Sequence, residues 1–200
     1  MLIVIQEKVK LGDVASIVSG LVVKRKQALN SGDGIKTYQM LTLKSFEPDG
    51  WLNSDELDLF ESSEELENKY LTQIGDIIIR LSSPYTAITI DEKSSGLLIP
   101  SLFAIIRVES NSILSEYLGG YLNSSNIKKT YVKSAVGTAI QIIKTSMLKE
   151  LEIPLQAIEK QRQIVEVNQL IVKERILLEK LINEKQKYYE AILNKLFDLK

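Results

Sequence analysis

Two kinds of chemistry-bearing side chain stand out by type and spacing: clustered cations and clustered carboxylates. Lys24, Arg25 and Lys26 form one basic cluster, followed by Lys36 and Lys44 with only Asp33 between them. From Lys128 to Lys144 there are four lysines (Lys128, Lys129, Lys133, Lys144) and no acid. From Glu47 to Glu67 there are nine acids and no Lys or Arg. The net charge is only −1, yet a chain that is neutral overall can still present one basic face. The alternative for any single cluster is solvated surface.

Catalytic equipment is missing. With no Cys there is no thiolate, disulfide framework or zinc finger, and with no His the usual general base and metal ligand is gone. Neither a GxxxxGK[ST] phosphate loop nor a GxGxxG after a strand is present. Pro48, Pro84, Pro100 and Pro154 are all isolated, so the NPPY-type loop of amino-methyltransferases is absent too. A serine nucleophile would need a lysine base; Ser146 to Lys149 has that spacing but reads as a helix cap. Asp91-Glu92 is a possible metal pair, although adjacent acids in a loop are more often simply solvated. No catalytic residue, metal ligand or cofactor is expected.

The elements that must position these groups are mixed. Leu11 to Val18 reads as a short helix or turn ended by Gly20, and Asn30 to Gly34 as a loop. Ile35 to Leu43 alternates well enough for a strand. The acidic stretch holds the turn Pro48-Asp49-Gly50 and ends in a small helix or loop. Ile77-Ile78-Ile79 is a β-branched run typical of a buried strand. Ser82-Ser83-Pro84 breaks it, Tyr85 to Ile90 is the second arm of a hairpin, and Leu102 to Val108 is a third strand. Ile113 to Leu122 fits a helix in which Gly119 and Gly120 signal close packing or a helix end. Asn123-Ser124-Ser125 offers caps for a second helix through Val132. Ser146 caps a short turn, and Pro154 suits the start of a final helix.

That final segment is the clearest. From Leu155 to Lys200 there is no Pro or Gly. Ile164, Val167, Ile171, Leu178, Leu181, Tyr188, Ile192 and Leu196 recur at threes and fours, the seam pattern of a coiled coil. At 1.5 Å per residue the helix would reach roughly 65 Å, too long to bury its stripe on its own small domain. It needs a partner helix. Glu174 and Lys185 fall on the seam where apolar residues are expected, which favours an antiparallel pairing over a plain parallel zipper.

The 200 residues suit one compact domain plus an extension. We therefore expect a mixed α/β domain over 1–153 without βαβ repeats, followed by a coiled-coil dimerisation and spacer helix over 154–200. No run approaches the roughly twenty apolar residues a membrane span needs. Met1 to Ile5 is apolar but soon followed by charges, so no signal peptide is expected and the location is expected to be cytoplasmic.

Several segments together carry a resemblance. Leu11-Gly12-Asp13-Val14, Gly75-Asp76-Ile77-Ile78 and the stretch Tyr121 to Lys133 (YLNSSNIKKTYVK) are the first three. The fourth runs from Gly137-Thr138-Ala139-Ile140 through Ile143, Leu148, Leu151 and Ile153-Pro154-Leu155 to Glu159-Lys160-Gln161-Arg162-Gln163-Ile164-Val165. In this order they resemble the specificity (S) subunits of type I restriction-modification systems. Gln156 stands where that family often has a second proline. Family members usually carry two target recognition domains and two conserved helices; this chain carries one of each and resembles a half-size S subunit. Its opening at Met1, directly before the Leu11 segment, is expected to be a natural start, with a truncated gene product as the alternative.

The resemblance implies a non-catalytic subunit that reads double-stranded DNA and holds methyltransferase (M) subunits, with restriction (R) subunits as further partners left open. DNA reading needs cations for phosphates and amide, hydroxyl or Arg groups for base edges. The candidates are Lys24, Arg25, Lys26, Lys36 and Tyr38 near the first loop, and Arg80, Ser82, Ser83 and Tyr85 at the hairpin. Lys128, Lys129, Lys133, Thr138 and Gln141 form a third group, of which Thr138 and Gln141 have a structural alternative. A homodimer formed through the helix would read two inverted half-sites, a split palindrome. Two rivals remain: a coiled-coil adaptor that binds only proteins, and a small hydrolase using Asp76, Asp91 and Glu92.

Overall fold

The structure is a computed structural model that describes residues 7–28, 32, 34–134 and 142–198. Of the expected Asn30–Gly34 loop only residues 32 and 34 are described, and segment 135–141, with Thr138 and Gln141, lies outside the described residues. Contacts divide the chain into two compact units, 1–165 and 166–200, and each is described by itself.

The first unit is organised by an antiparallel sheet of β2 (Ala15–Ser19), β7 (Phe103–Val108), β5 (Ile77–Arg80) and β6 (Ala87–Thr89), in the order β2-β7-β5-β6. Its register sets Ile77 opposite Ile106, Ile78 opposite Ile105 and Ile79 opposite Ala104. Because successive side chains on a strand point to opposite faces, the three isoleucines divide between two cores. Ile77 and Ile79 join Ile17, Ala104 and Ile106 in one. Ile78 joins Ile88, Phe103 and Ile105 in the other. A strand buried on both faces has no polar positions, which is why this run is continuous in the sequence.

The first face is covered by α2 (Ser115–Leu122) and α3 (Ser125–Ser134) through Tyr117, Leu118, Leu122, Ile127 and Tyr131. The expected close packing is realised at Gly119, where an added Cβ would lie 2.4 Å from Thr89 Oγ1. The second face is covered by loops carrying Leu41, Phe46, Leu97 and Ile99. Beside it, β3 (Lys36–Met40) pairs antiparallel with β4 (Asp58–Ser62) over a third cluster that includes Tyr38, Phe60, Leu66 and Leu98.

Four local expectations are corrected. The opening helix α1 is only Leu11–Val14; the chain then turns extended because Ala15 to Ser19 pairs with β7. β4 forms inside the acidic run, where Phe60 is buried opposite Tyr38 while Asp58 and Leu59 are exposed. Ser146 does not cap α4 (Thr145–Lys149): Lys144 precedes that helix and no side chain caps it. Pro154 belongs not to the helix but to β8 (Glu152–Pro154), paired with β1 (Lys8–Lys10).

The last helix, α5, spans Ile158–Asp198 without interruption. Its first turns belong to the first unit and are fixed there by Gln161, which is fully buried. The Gln161 carboxamide oxygen accepts from Leu114 N at 2.8 Å, and its Nε2 donates to Ser112 O and Gln156 O, each at 2.8 Å. A buried amide with every group engaged stabilises a docking that an unpaired one would oppose.

Candidate nucleic-acid interface

The structure separates the cations expected from the sequence into two environments. Lys24 and Arg25 sit exposed on a 3-10 turn, Val23–Arg25. Their neighbours are neutralised: Lys26 Nζ lies 2.6 Å from a Glu64 oxygen and Lys36 Nζ 2.6 Å from a Glu65 oxygen. The Glu65 partner raises the Lys36 ammonium above its ordinary value, and Lys36 lowers the Glu65 carboxyl in return. Part of the acidic run thus folds back onto the first basic cluster.

The hairpin and α3 come together differently. Tyr85, in the turn after β5, contacts Tyr131 of α3 with ring centroids 5.6 Å apart. Ser82 bridges to Ile142, and Ile143 N donates to Leu81 O at 2.9 Å. The loop after β3 is held from both sides. Arg80 Nη1 donates to Leu43 O at 3.1 Å, and Lys128 Nζ to Pro48 O at 3.4 Å. Arg80, Ser82, Ser83, Lys128, Lys129 and Lys133 are therefore presented by one set of interlocked segments, with Lys129 and Lys133 one helical turn apart.

The second environment, like Lys24 and Arg25 in the first, has no ion pair among the described residues. Arg80, Lys128, Lys129, Lys133 and Lys144 make no ion pair with a described residue, and the sequence from 128 to 144 contains no acid. Burial pushes the Lys128 ammonium down from its ordinary value and works against the Arg80 charge as well. Among the described residues, Arg80 is oriented by neutral acceptors, Leu43 O and, through Nε at 3.2 Å, Ser82 Oγ. A half-buried cation without a counter-ion is poised for an anion or a hydrogen-bond acceptor from outside.

The two tyrosines lie beside the cations but are themselves interior; Lys36 Nζ sits 5.4 Å from the centroid of the Tyr38 ring. Tyr38 is buried in the third core cluster, and its hydroxyl accepts from Leu66 N at 2.9 Å. Tyr85 is buried against Tyr131. Neither ring offers a surface on which a base could stack. Both serve to hold the elements that carry the cations.

Sequence reasoning missed the polar groups that lock this arrangement. Asp76 is almost fully buried; its carboxylate accepts from Arg107 Nε at 3.0 Å, Arg107 Nη2 at 3.2 Å and Gln73 N at 2.9 Å. Arg107 Nη2 also donates to Lys69 O and Leu71 O, so the pair ties segment 69–73 to the sheet. Asn123 clamps α2 to β6, accepting from Ala87 N at 2.9 Å and donating to Ala87 O at 2.7 Å. The signals were the Asp in Gly75-Asp76-Ile77-Ile78 and the Asn after α2, but their partners are remote in sequence.

The carboxylates weighed for hydrolysis are dispersed into structural roles. Asp76 is engaged by Arg107, and Asp91 caps the 3-10 turn Glu92–Ser94 through Ser94 N at 3.0 Å and the Ser94 hydroxyl, bonds that hold its carboxyl below the usual range. Among the described residues no group of three or more His, Cys, Asp or Glu could hold a metal ion. No helix of the described residues is long and apolar enough to cross a membrane.

In the second unit, and at its edge in Ile164, the stripe foreseen from spacing is exposed. Ile164, Val167, Ile171, Leu178, Leu181, Tyr188, Ile192 and Leu196 range from 36% to 63% exposed. Leu170, Leu177, Ile182 and Leu193 widen it.

The first unit thus carries cations that pair with no described carboxylate, and the second is a long helix with an exposed apolar stripe. The chain belongs to the family described as type I restriction modification DNA specificity domain, whose sequence profile matches residues 6–187. The comparison with curated proteins returns no match. Among solved structures, the chain is similar to one from work on the structural basis of complex assembly and conformational transition of the type I R-M system. That match has 20% identity and a TM-score of 0.62, and covers 98% of this chain and 47% of the other. It is also similar to the HsdS subunit of Thermoanaerobacter tengcongensis, at 20% identity and a TM-score of 0.58, covering 98% of this chain and 45% of that one. The S subunit of a type I restriction-modification system from M. genitalium gives 16%, 0.55, 96% and 46% respectively. These likenesses establish the fold, a mixed α/β domain followed by a long helix. The chain spans a little under half the length of each.

Proposed function

We propose that this chain is the DNA-reading subunit of a type I restriction-modification methyltransferase complex, a half-size S subunit with its target recognition domain over 1–153 and its spacer helix over 154–200. Two copies pair through their long helices, present two identical domains to a bipartite palindromic site, and recruit M subunits that bring cofactor and chemistry. The chain itself supplies no catalytic group, and the complex works in the cytoplasm, where its DNA is.

The observation that carries the DNA-reading part is that Arg80, Lys128, Lys129 and Lys133, on the interlocked hairpin and α3, pair with no described carboxylate. Since no described carboxylate pairs with Lys128, Lys129 or Lys133, phosphates are their natural counter-ions. Lys24 and Arg25 add a second point of attachment, whereas Lys26 and Lys36 must first give up Glu64 and Glu65. Arg80, with Ser82 and Ser83, is the base-edge reader of the set, because a guanidinium fixed by two neutral acceptors is already oriented. Thr138 and Gln141 join the set by sequence position alone.

Binding of duplex DNA by the complex with its M subunit, measured by fluorescence anisotropy over a salt series, tests this. Replacing Lys129 and Lys133 by alanine should weaken binding alike on all sequences and reduce the salt slope by about one for each phosphate left without its lysine. Arg80→Lys should instead relax discrimination at one base position by about 1–3 kcal/mol and leave the slope nearly unchanged. If the wild-type complex binds DNA without salt dependence, the protein-only adaptor becomes the better account.

A further inference from the structure

On a seam otherwise apolar, Glu174 and Lys185 are charged, and neither has a way to be neutralised within its own helix. Glu174 lines the same open groove as Val167, Ile171 and Leu178. Its neighbours one turn away, Leu170, Ile171, Leu177 and Leu178, are all apolar. Lys185 is likewise flanked by Leu181, Ile182, Tyr188 and Tyr189. Neither makes an ion pair with a described residue, although Lys187 and Glu184, off the stripe, pair at 2.8 Å. A charge at the centre of a buried seam is costly unless the facing helix supplies its opposite.

The spacing of the seam says which helix can do so. From Val167 to Ile192 the positions are symmetric about the point between Glu179 and Lys180, and the outermost two, Ile164 and Leu196, each miss the symmetric position by one residue. An antiparallel pair with its two-fold axis there sets Leu178 opposite Leu181, Ile171 opposite Tyr188 and Val167 opposite Ile192. The same axis sets Glu174 opposite Lys185, twice. A parallel pair in register would instead oppose Glu174 to Glu174 and Lys185 to Lys185, which is repulsive.

We propose that Glu174 and Lys185 form two reciprocal ion pairs across this two-fold axis, and that they select a second copy of this chain, in this one register, as the occupant of the stripe. The assignment rests on the dimer reading above and adds to it the register and the means of partner choice. A half-subunit whose helix lacks opposite charges at these two positions would be rejected, because one copy's charges would be left buried and unpaired.

The chain contains no cysteine, so crosslinking gives a direct test on the full-length protein. With Ile171→Cys and Tyr188→Cys in the same chain, mild oxidation should yield a covalent dimer. Ile171→Cys alone should yield none, since the two copies of that position would lie about 25 Å apart, beyond disulfide reach. Charge exchange is the second arm, needing no oxidation. Glu174→Lys and Lys185→Glu should each raise the dimer dissociation constant about tenfold at low salt, less at high salt. The double exchange should restore wild-type pairing, and the two single variants should pair with each other. Crosslinking of Ile171→Cys alone, or single exchanges that pair as well as wild type, overturns the register while leaving dimerisation standing. A wild-type chain that stays monomeric with its M subunit overturns both.

Discussion

Asp76→Ala is expected to destabilise the domain by about 3–5 kcal/mol, the range for removing one partner of a buried, hydrogen-bonded ion pair. The carboxylate takes hydrogen bonds from Arg107 Nε and Nη2 and from Gln73 N. Its removal leaves the guanidinium partly buried with only the Lys69 and Leu71 carbonyls, and strips Gln73 N of its acceptor. Asp76→Asn, which keeps one oxygen, should fall between the two. Urea denaturation followed by circular dichroism checks this; a loss under about 1 kcal/mol would show that the pair only decorates the sheet. The hydrolase rival makes the opposite demand, a stable variant without activity.

Placing Glu at both Leu178 and Leu181 is expected to abolish dimerisation while leaving the domain folded. Both side chains are about half exposed on the single helix, at 52% and 51%, so neither contributes much to the fold of one chain. On the proposed two-fold axis each meets the other's counterpart, and each buried leucine contributes roughly 1.5–3 kcal/mol. Four leucines per dimer would be replaced and four carboxylates brought together. Analytical ultracentrifugation should find a monomer. The complex should keep weak, salt-dependent DNA binding and lose its preference for a two-part site. A variant that remains dimeric would put the pairing surface elsewhere.

How much of this the sequence disclosed depends on how local each cause is. Ile77-Ile78-Ile79 announced a buried strand because both its faces are covered, and the last helix announced itself through a long run without Pro or Gly whose apolar stripe is interrupted at Glu174 and Lys185. β4 stayed hidden because a strand that exposes Asp58 and Leu59 within an acidic run looks like a loop until Tyr38 is known to lie opposite Phe60. Pro154 read as a helix start, since its strand partner lies at Lys8, the other end of the chain. The same limit applied to the site. Lys26 and Lys129 look alike in sequence, and only the fold shows that Glu64 stands against the first and that no described carboxylate stands against the second. Tyr38 and Tyr85 were candidates for DNA contact from their place in the sequence and are interior in the fold. Gln161 was visible within a resembling segment, but its role needed Leu114 and Ser112 beside it.

The central claim is that two copies of one half-size subunit read one divided, symmetric DNA site for a methyltransferase. Single-molecule sequencing of modified bases, in cells carrying this chain with its M subunit, tests it most directly. The account predicts one methylated motif made of two inverted, identical half-sites separated by a gap of fixed length. An undivided or asymmetric motif, or no methylation dependent on this chain, would contradict it.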